Sequence, residues 1–514
     1  MGLQSLRKII MIGLSLTMMI SLLAACSKGN GETGTDTRVL RIGVLYGGED
    51  NEPWFRQQFT DSFELLNQNI EIQIVPAINN ESMWNPRPNQ GDEREEQPDP
   101  YEEMQKMMTG SNPVDVVVTD IGMLRRMVQD NLLKELDPLI QQENFDISDY
   151  VPTVLEGIKA AGDNKIYALT PTFTSSAMFY NKRIFQEKGV EPPTDNMMWD
   201  DVINKARLVA GGEGEERTFG LMLNRWGGDG FWDIQNFAAP LQLRMFDDKA
   251  EKMLVNSPQW EKVWTTVIDL YREKISPKGE DMWGRTYSED RPYNPFENDL
   301  FLSGRVAMMI GDYYYLNDLK RAFNQKDNIE GFTMVDWDVV TVPQFPEAPG
   351  IGGNIYLNQL MGINANAQNS DDAWKFIKFL NGKEWAKLKS RSTNEMVARK
   401  EFIKPREGMD YNIAAFYTLK PVPVYSNNED IYRKYPYIYD AVQSPGQMLF
   451  QQVMEEKKTV KEALAEWETQ GNANLLQMKE NPDQPLQPID MMPGGEIPID
   501  KIEEDVQAEV YPAE

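Results

Sequence analysis

The stretch Asn224-Arg225-Trp226-Gly227-Gly228-Asp229-Gly230-Phe231-Trp232-Asp233 sets flat indole rings among amide, guanidinium and carboxylate groups. A ring of this kind can stack on the apolar C–H face of a sugar-like solute. The polar groups can then take the hydroxyl rim, at roughly 1.5–3 kcal/mol for each hydrogen bond to a charged partner. The glycines mark a loop and let backbone come close to a ligand. Trp226, Asp229 and Trp232 are therefore candidate contacts, the alternative being a surface turn with Trp232 packed beneath it. Trp54 and Trp283 are further rings of the same use, the second positioned to roof a site from a polar insertion. Gly352-Gly353-Asn354 reads as a place of close backbone approach or as an ordinary turn.

What the chain lacks narrows the chemistry. It has no histidine, which removes Ser-His-Asp and Cys-His catalysis and histidine-based metal sites. Phosphate-loop, dinucleotide and nucleophile-elbow motifs are absent in any workable position, so no cofactor is expected. The spacing of oxygens from Asp229 to Asp233 does not fit a calcium loop, and no metal is assigned. With 80 Asp and Glu residues, close carboxylate pairs are inevitable and select no hydrolytic site; no catalytic residue is assigned. A net charge of −28 is a poor match for nucleic acid or an anionic lipid surface and favours solubility.

The N-terminus sets the compartment. Arg7 and Lys8 precede an apolar run from Ile9 to Leu23, 15 residues long and short of the ~20 that cross a bilayer. Leu23-Ala24-Ala25-Cys26 follows and resembles the lipobox of bacterial lipoproteins; Cys26 is the only cysteine and has no internal disulfide partner. Residues 1–25 read as a signal peptide, Cys26 as the lipidated residue, and residues 26–37 as a flexible tether. The chain is expected to be extracytoplasmic and held to the membrane through Cys26 alone.

The elements that must position the candidate groups alternate. Val39–Leu45 reads as a strand, Phe55–Leu66 as a helix, Ile70–Val75 as a strand, and Tyr101–Thr109 as a helix after a polar, proline-bearing insertion at 79–100. Val114–Val118 is a buried-strand pattern ending in Thr119-Asp120, with a helix from Ile121. This order implies βαβ units and parallel sheet, whose ligands sit beyond the carboxyl ends of strands. Thr119 and Asp120 occupy that place, Asp120 with the added prospect of capping the next helix. Ser370 reads as the cap of a helix that buries Ala373, Phe376, Ile377 and Leu380. Thr459–Met478 reads as another amphipathic helix. Residues 481–514 form an acidic, proline-rich extension that either wraps the body or stays mobile.

Four blocks then carry a resemblance. They are Val114–Asp120 with Leu132–Leu139; Lys165–Pro171 with Met178–Phe185; Phe301–Tyr313; and Trp337–Pro343 with Gly362–Ala365 and the Trp374–Leu388 helix. In this order and spacing, behind a lipobox, they resemble the extracellular solute-binding lipoproteins of carbohydrate ABC importers, the group that includes maltodextrin-binding proteins. The resemblance implies an α/β, two-lobe periplasmic-binding-protein-like fold, each lobe a mainly parallel sheet flanked by helices, with the ligand cleft between lobes. It implies lobes of residues 38–169 plus 343–391 and 170–342 plus 392–480. It adds Tyr313, with Asp312 before it, as a ring stacked on sugar, the alternative being a Tyr buried between helices. Thr174 follows the hinge-like Thr170–Phe173 and lines the cleft. The partners implied are a small-molecule solute, a carbohydrate, and ABC permease subunits, with the protein working as a monomer. A peptide or other polar solute, and a ligand-presenting role for a surface sensor, remain as alternatives.

Overall fold

The computed structural model describes residues 37–48, 51–79, 98–227, 230–283, 293–352, 355–391, 394–422, 431, 434–435 and 437–482. The signal peptide, Cys26, most of the tether, most of the 79–100 insertion and nearly all of the C-terminal extension lie outside these residues.

Branched and apolar residues at alternate positions build the first sheet. Its strands are β1 (Arg38–Gly47), β2 (Ile70–Asn79), β3 (Val116–Thr119), β4 (Ala168–Leu169) and β10 (Leu360–Ile363), in the order β2-β1-β3-β10-β4. β1 pairs in parallel with β2 and β3, while β10 runs antiparallel to β3 and β4. The second sheet contains β6 (Ser176–Asn181), β7 (Phe219–Met222), β8 (Val306–Asp312) and β9 (Trp337–Val340), in the order β7-β8-β6-β9. Only β7 and β8 pair in parallel; β6 is antiparallel to both its neighbours. β5 (Thr172–Phe173) and β11 (Met396–Val397) form a small antiparallel pair.

Each main sheet is thus mainly parallel in strand direction, as the sequence led us to expect, with one reversed strand, β10 in the first and β6 in the second. The physical reason for the reversal is the path of the chain. A βαβ crossover forces a parallel neighbour, but β10 and β6 arrive from the other sheet and are free to run the opposite way.

β6 shows how the second sheet separates two cores. Ala177 and Phe179 pack on one face, with Phe301 and Tyr315, while Met178 and Tyr180 pack on the other, with Trp199 and Trp264. Burial pushes the Tyr180 phenol up to about 12. Phe345 follows β9 and still packs against Trp199 and Phe237, so the chain returns to the first sheet only after it.

The second core is closed by helices Ile438–Met454 and Val460–Glu480. Pro445 sits inside the first of them, where it lacks the N–H that would bond the Ala441 carbonyl. Asn474 Nδ2 donates to that carbonyl at 3.0 Å, and Trp467 Nε1 donates to the Val442 carbonyl at 2.7 Å. The second helix therefore supplies donors where the first is interrupted. Its own start carries a capping box, with Thr459 and Glu462 bonded reciprocally. The helix Ser370–Leu380 buries Ala373, Phe376, Ile377 and Leu380, but its cap is Asn369, which accepts from Asp372 N; Ser370 is the first helical residue.

Candidate ligand cleft

The carboxyl ends of β1, β2 and β3 open into a cavity of about 710 Å³. Tyr46 and Gly47 from β1, Asn79 from β2, Thr119 at the end of β3 and Asp120 after it line it, with Glu52 and Trp54 from helix Glu52–Phe55 and Asn51 at its cap. Trp54 is 55% exposed and leans edge-on against Phe59, ring centroids 6.2 Å apart at 81°. Its indole is supported from one side and open on the other. Asp120 Oδ1 accepts from Gly122 N at 2.8 Å and Met123 N at 2.9 Å. It caps the helix and also lines the cavity, so the two readings of this residue coexist. The Thr119 hydroxyl and Gln359 Oε1 are buried on the wall of this cavity without a hydrogen-bond partner, an arrangement that is costly unless a partner arrives.

A second cavity, of about 290 Å³, opens on the other sheet. Ser176 at the start of β6, Gly311 and Asp312 at the end of β8, and Asn224, Arg225 and Trp226 after β7 line it, with Asp233 and Asn236 from helix Gly230–Ala238. Asn224 shapes the loop: its side-chain oxygen accepts from Trp226 N at 2.9 Å and Gly227 N at 2.8 Å, and its amide donates to Asp233 at 2.5 Å. Gly227 sits at φ +47°, and a Cβ there would come within 2.5 Å of Met282 Sδ. The glycine serves loop packing as well as loop shape. Trp226 is left 69% exposed on the cavity rim. The Arg225 guanidinium lies 4.8 Å from the Trp226 ring centroid and 4.7 Å from that of Tyr315, and it pairs with Asp318.

One strip of chain joins the two cavities. Tyr356 lines the second, while Asn358 and Gln359 line the first. Two residues of extended chain reach at most ~7 Å, so the cavities adjoin. Tyr356 is paired through both backbone bonds with Thr174, at 2.8 and 3.2 Å. Thr174 is buried at this junction with its hydroxyl unpartnered.

The remaining candidates fall elsewhere. Tyr313 is buried, its ring edge-on to Phe416 at 5.3 Å and under the Arg406 guanidinium at 5.0 Å. It packs behind the cleft and does not line it, which corrects the stacking role inferred from the resemblance; chain from beyond residue 400 fills the space beside the ring. Trp232 is exposed on its helix but is not on either cavity wall. Trp283 ends helix Gly279–Trp283, its side chain outside the described residues, as are Asp229 and Asn354. Reading the sequence missed Tyr356 and Gln359, which lie in an irregular strip with no periodic signal. It also passed over Asn51 and Glu52, although both flank Trp54.

The sequence pattern described as "Bacterial extracellular solute-binding protein" matches residues 95–387, more than half of the chain. The chain belongs to that family. Among curated relatives of this solute-binding protein is a Brucella abortus chain whose name says only that it binds; it is 25% identical over 330 residues, covering 62% of this chain and 71% of that one. Among solved structures, a sugar transporter from Rhizobium etli in an open conformation superposes with a TM-score of 0.57 at 17% identity, covering 85% of this chain and 99% of that one. The sugar-binding protein MalE from Xanthomonas citri gives 0.55 at 15% identity, covering 86% and 98%. At these identities the structures establish the fold, the two-lobe α/β architecture of solute-binding proteins. The family places the chain outside the cytoplasm and makes it a binder of solutes.

Proposed function

We propose that this solute-binding protein captures a sugar or oligosaccharide outside the membrane and delivers it to an ABC permease. The observation that carries this reading is the pair of exposed indoles, Trp54 and Trp226, one in each of two adjoining cavities whose walls also carry carboxylates, amides and hydroxyls among apolar side chains. Flat rings for C–H faces and charged acceptors for hydroxyl groups are what a sugar requires. Structural neighbours named for sugar transport and sugar binding agree with it. Catalysis has no part in this reading.

Capture proceeds by hinge closure. The lobes follow the expected division of 38–169 plus 343–391 and 170–342 plus 392–480 with two shifts: Phe345 packs against Trp199 and Phe237, so the second passage falls after it, and Ala398 and Lys400 bond to Val151 and Asp149, so the third falls after residue 400. Closing them brings Trp54 and Asp120 toward Trp226 and Asp312 across the strip at Tyr356–Gln359. Lipidation at Cys26 tethers a monomer to the membrane.

The test is a thermal-shift screen of the soluble chain from Ser27 against mono- and oligosaccharides and short peptides. A ligand at ~100 times its dissociation constant stabilises by roughly 2.7 kcal/mol, so a rise of a few degrees with one sugar class is expected. A rise with peptides alone overturns the sugar assignment.

A further inference from the structure

Resting on the sugar reading above, we propose that the cleft admits uncharged or amino-bearing glycans and rejects those that carry carboxylate or sulfate groups. Among the described residues, the cavity walls carry Glu52, Asp120, Asp233 and Asp312 against a single cation, Arg225.

That cation is already engaged. Its guanidinium pairs with Asp318 and stacks between the rings of Trp226 and Tyr315. It also faces Asp299, whose carboxyl is pushed up by burial while Arg225 draws it down. Little of its charge is left for a ligand. The acids differ in how far they are answered. Glu52 is paired with Arg56 at 2.8 Å. Asp233 is held by Asn224 and by the Tyr271 hydroxyl. Asp120 and Asp312 accept only backbone N–H groups, Gly122 and Met123 for the first and Tyr315 for the second, and neither has an ion-pair partner among the described residues. Among the described residues, each adjoining cavity thus holds a carboxylate, Asp120 in one and Asp312 in the other, that no cation neutralises.

A ligand carboxylate entering either cavity meets a like charge in a partly desolvated space, which is strongly disfavoured. The field of a chain with net charge −28 acts in the same direction at longer range. An ammonium group meets the opposite situation and is welcome at both carboxylates.

The experiment is isothermal titration of the soluble chain with the best neutral oligosaccharide, its fully C6-oxidised carboxylate and the matching C6-amide. Carboxylate and amide have nearly the same shape, so their ratio of affinities isolates charge. The carboxylate is expected to bind at least about tenfold more weakly than the amide at low salt. That ratio is expected to shrink in the Asp120→Asn/Asp312→Asn double variant, which keeps the capping oxygens. Equal or tighter binding of the carboxylate overturns the proposal, as does a ratio unchanged in the double variant. Failure of every neutral sugar to bind overturns the sugar reading itself, a distinct result because the charge comparison begins from a neutral sugar that binds.

Discussion

Trp54 and Trp226 have large exposed ring faces and few packing duties, so truncating either removes ligand contact more than stability. Trp54→Ala and Trp226→Ala are each expected to weaken sugar binding roughly ten- to hundredfold, the range of a well-placed aromatic anchor, with the melting temperature of the free protein nearly unchanged. Tyr313 behaves in the opposite way. Buried between Phe416 and Arg406, it is expected to cost about 3–5 kcal/mol on change to Ala, measurable by chemical denaturation, while Tyr313→Phe keeps most of the packing. Another residue-scale test uses pH. Arg38 donates to both oxygens of Asp372, at 2.7 and 2.9 Å, and this bond holds the Asp372 carboxyl below its ordinary value. The folded chain then binds fewer protons here than the unfolded one, so the contribution is present above the unfolded carboxylate range and is lost as pH falls through the folded value. The stability gap between wild type and Asp372→Asn is expected at neutral pH and should vanish in strong acid. At this scale the sequence was only partly readable. The tryptophans beside glycine or after a strand stood out, whereas the fate of Tyr313 depends on Phe416 and Arg406, about a hundred residues further along, which no local pattern reveals.

Periodicity reveals the elements better than their orientation. The buried face of helix Ser370–Leu380 and the run of β3 followed by the Asp120-capped helix were legible because apolar spacing and cap chemistry are local. The reversed strand in each sheet was not, since it depends on chain that returns from the other sheet. The proline-bearing helix is a similar case: Pro445 is visible in sequence, but the donors that answer it, Asn474 and Trp467, come from the next helix. Asn474→Ala leaves the Ala441 carbonyl buried without this donor and is expected to cost about 1–3 kcal/mol, read from the midpoint of urea unfolding. A conservative Asn474→Gln change that fails to restore stability would show that the position of the amide matters as well as its presence.

On the scale of the whole molecule, one solute is expected to touch both cavities. The most direct measurement titrates a single sugar into wild type, Trp54→Ala and Trp226→Ala by calorimetry. Loss of affinity in both variants, at one-to-one stoichiometry, is the predicted result, because the two rings approach the same ligand from opposite sides of the Tyr356–Gln359 strip. Wild-type affinity in both variants would contradict it and place the bound solute away from the cleft described here.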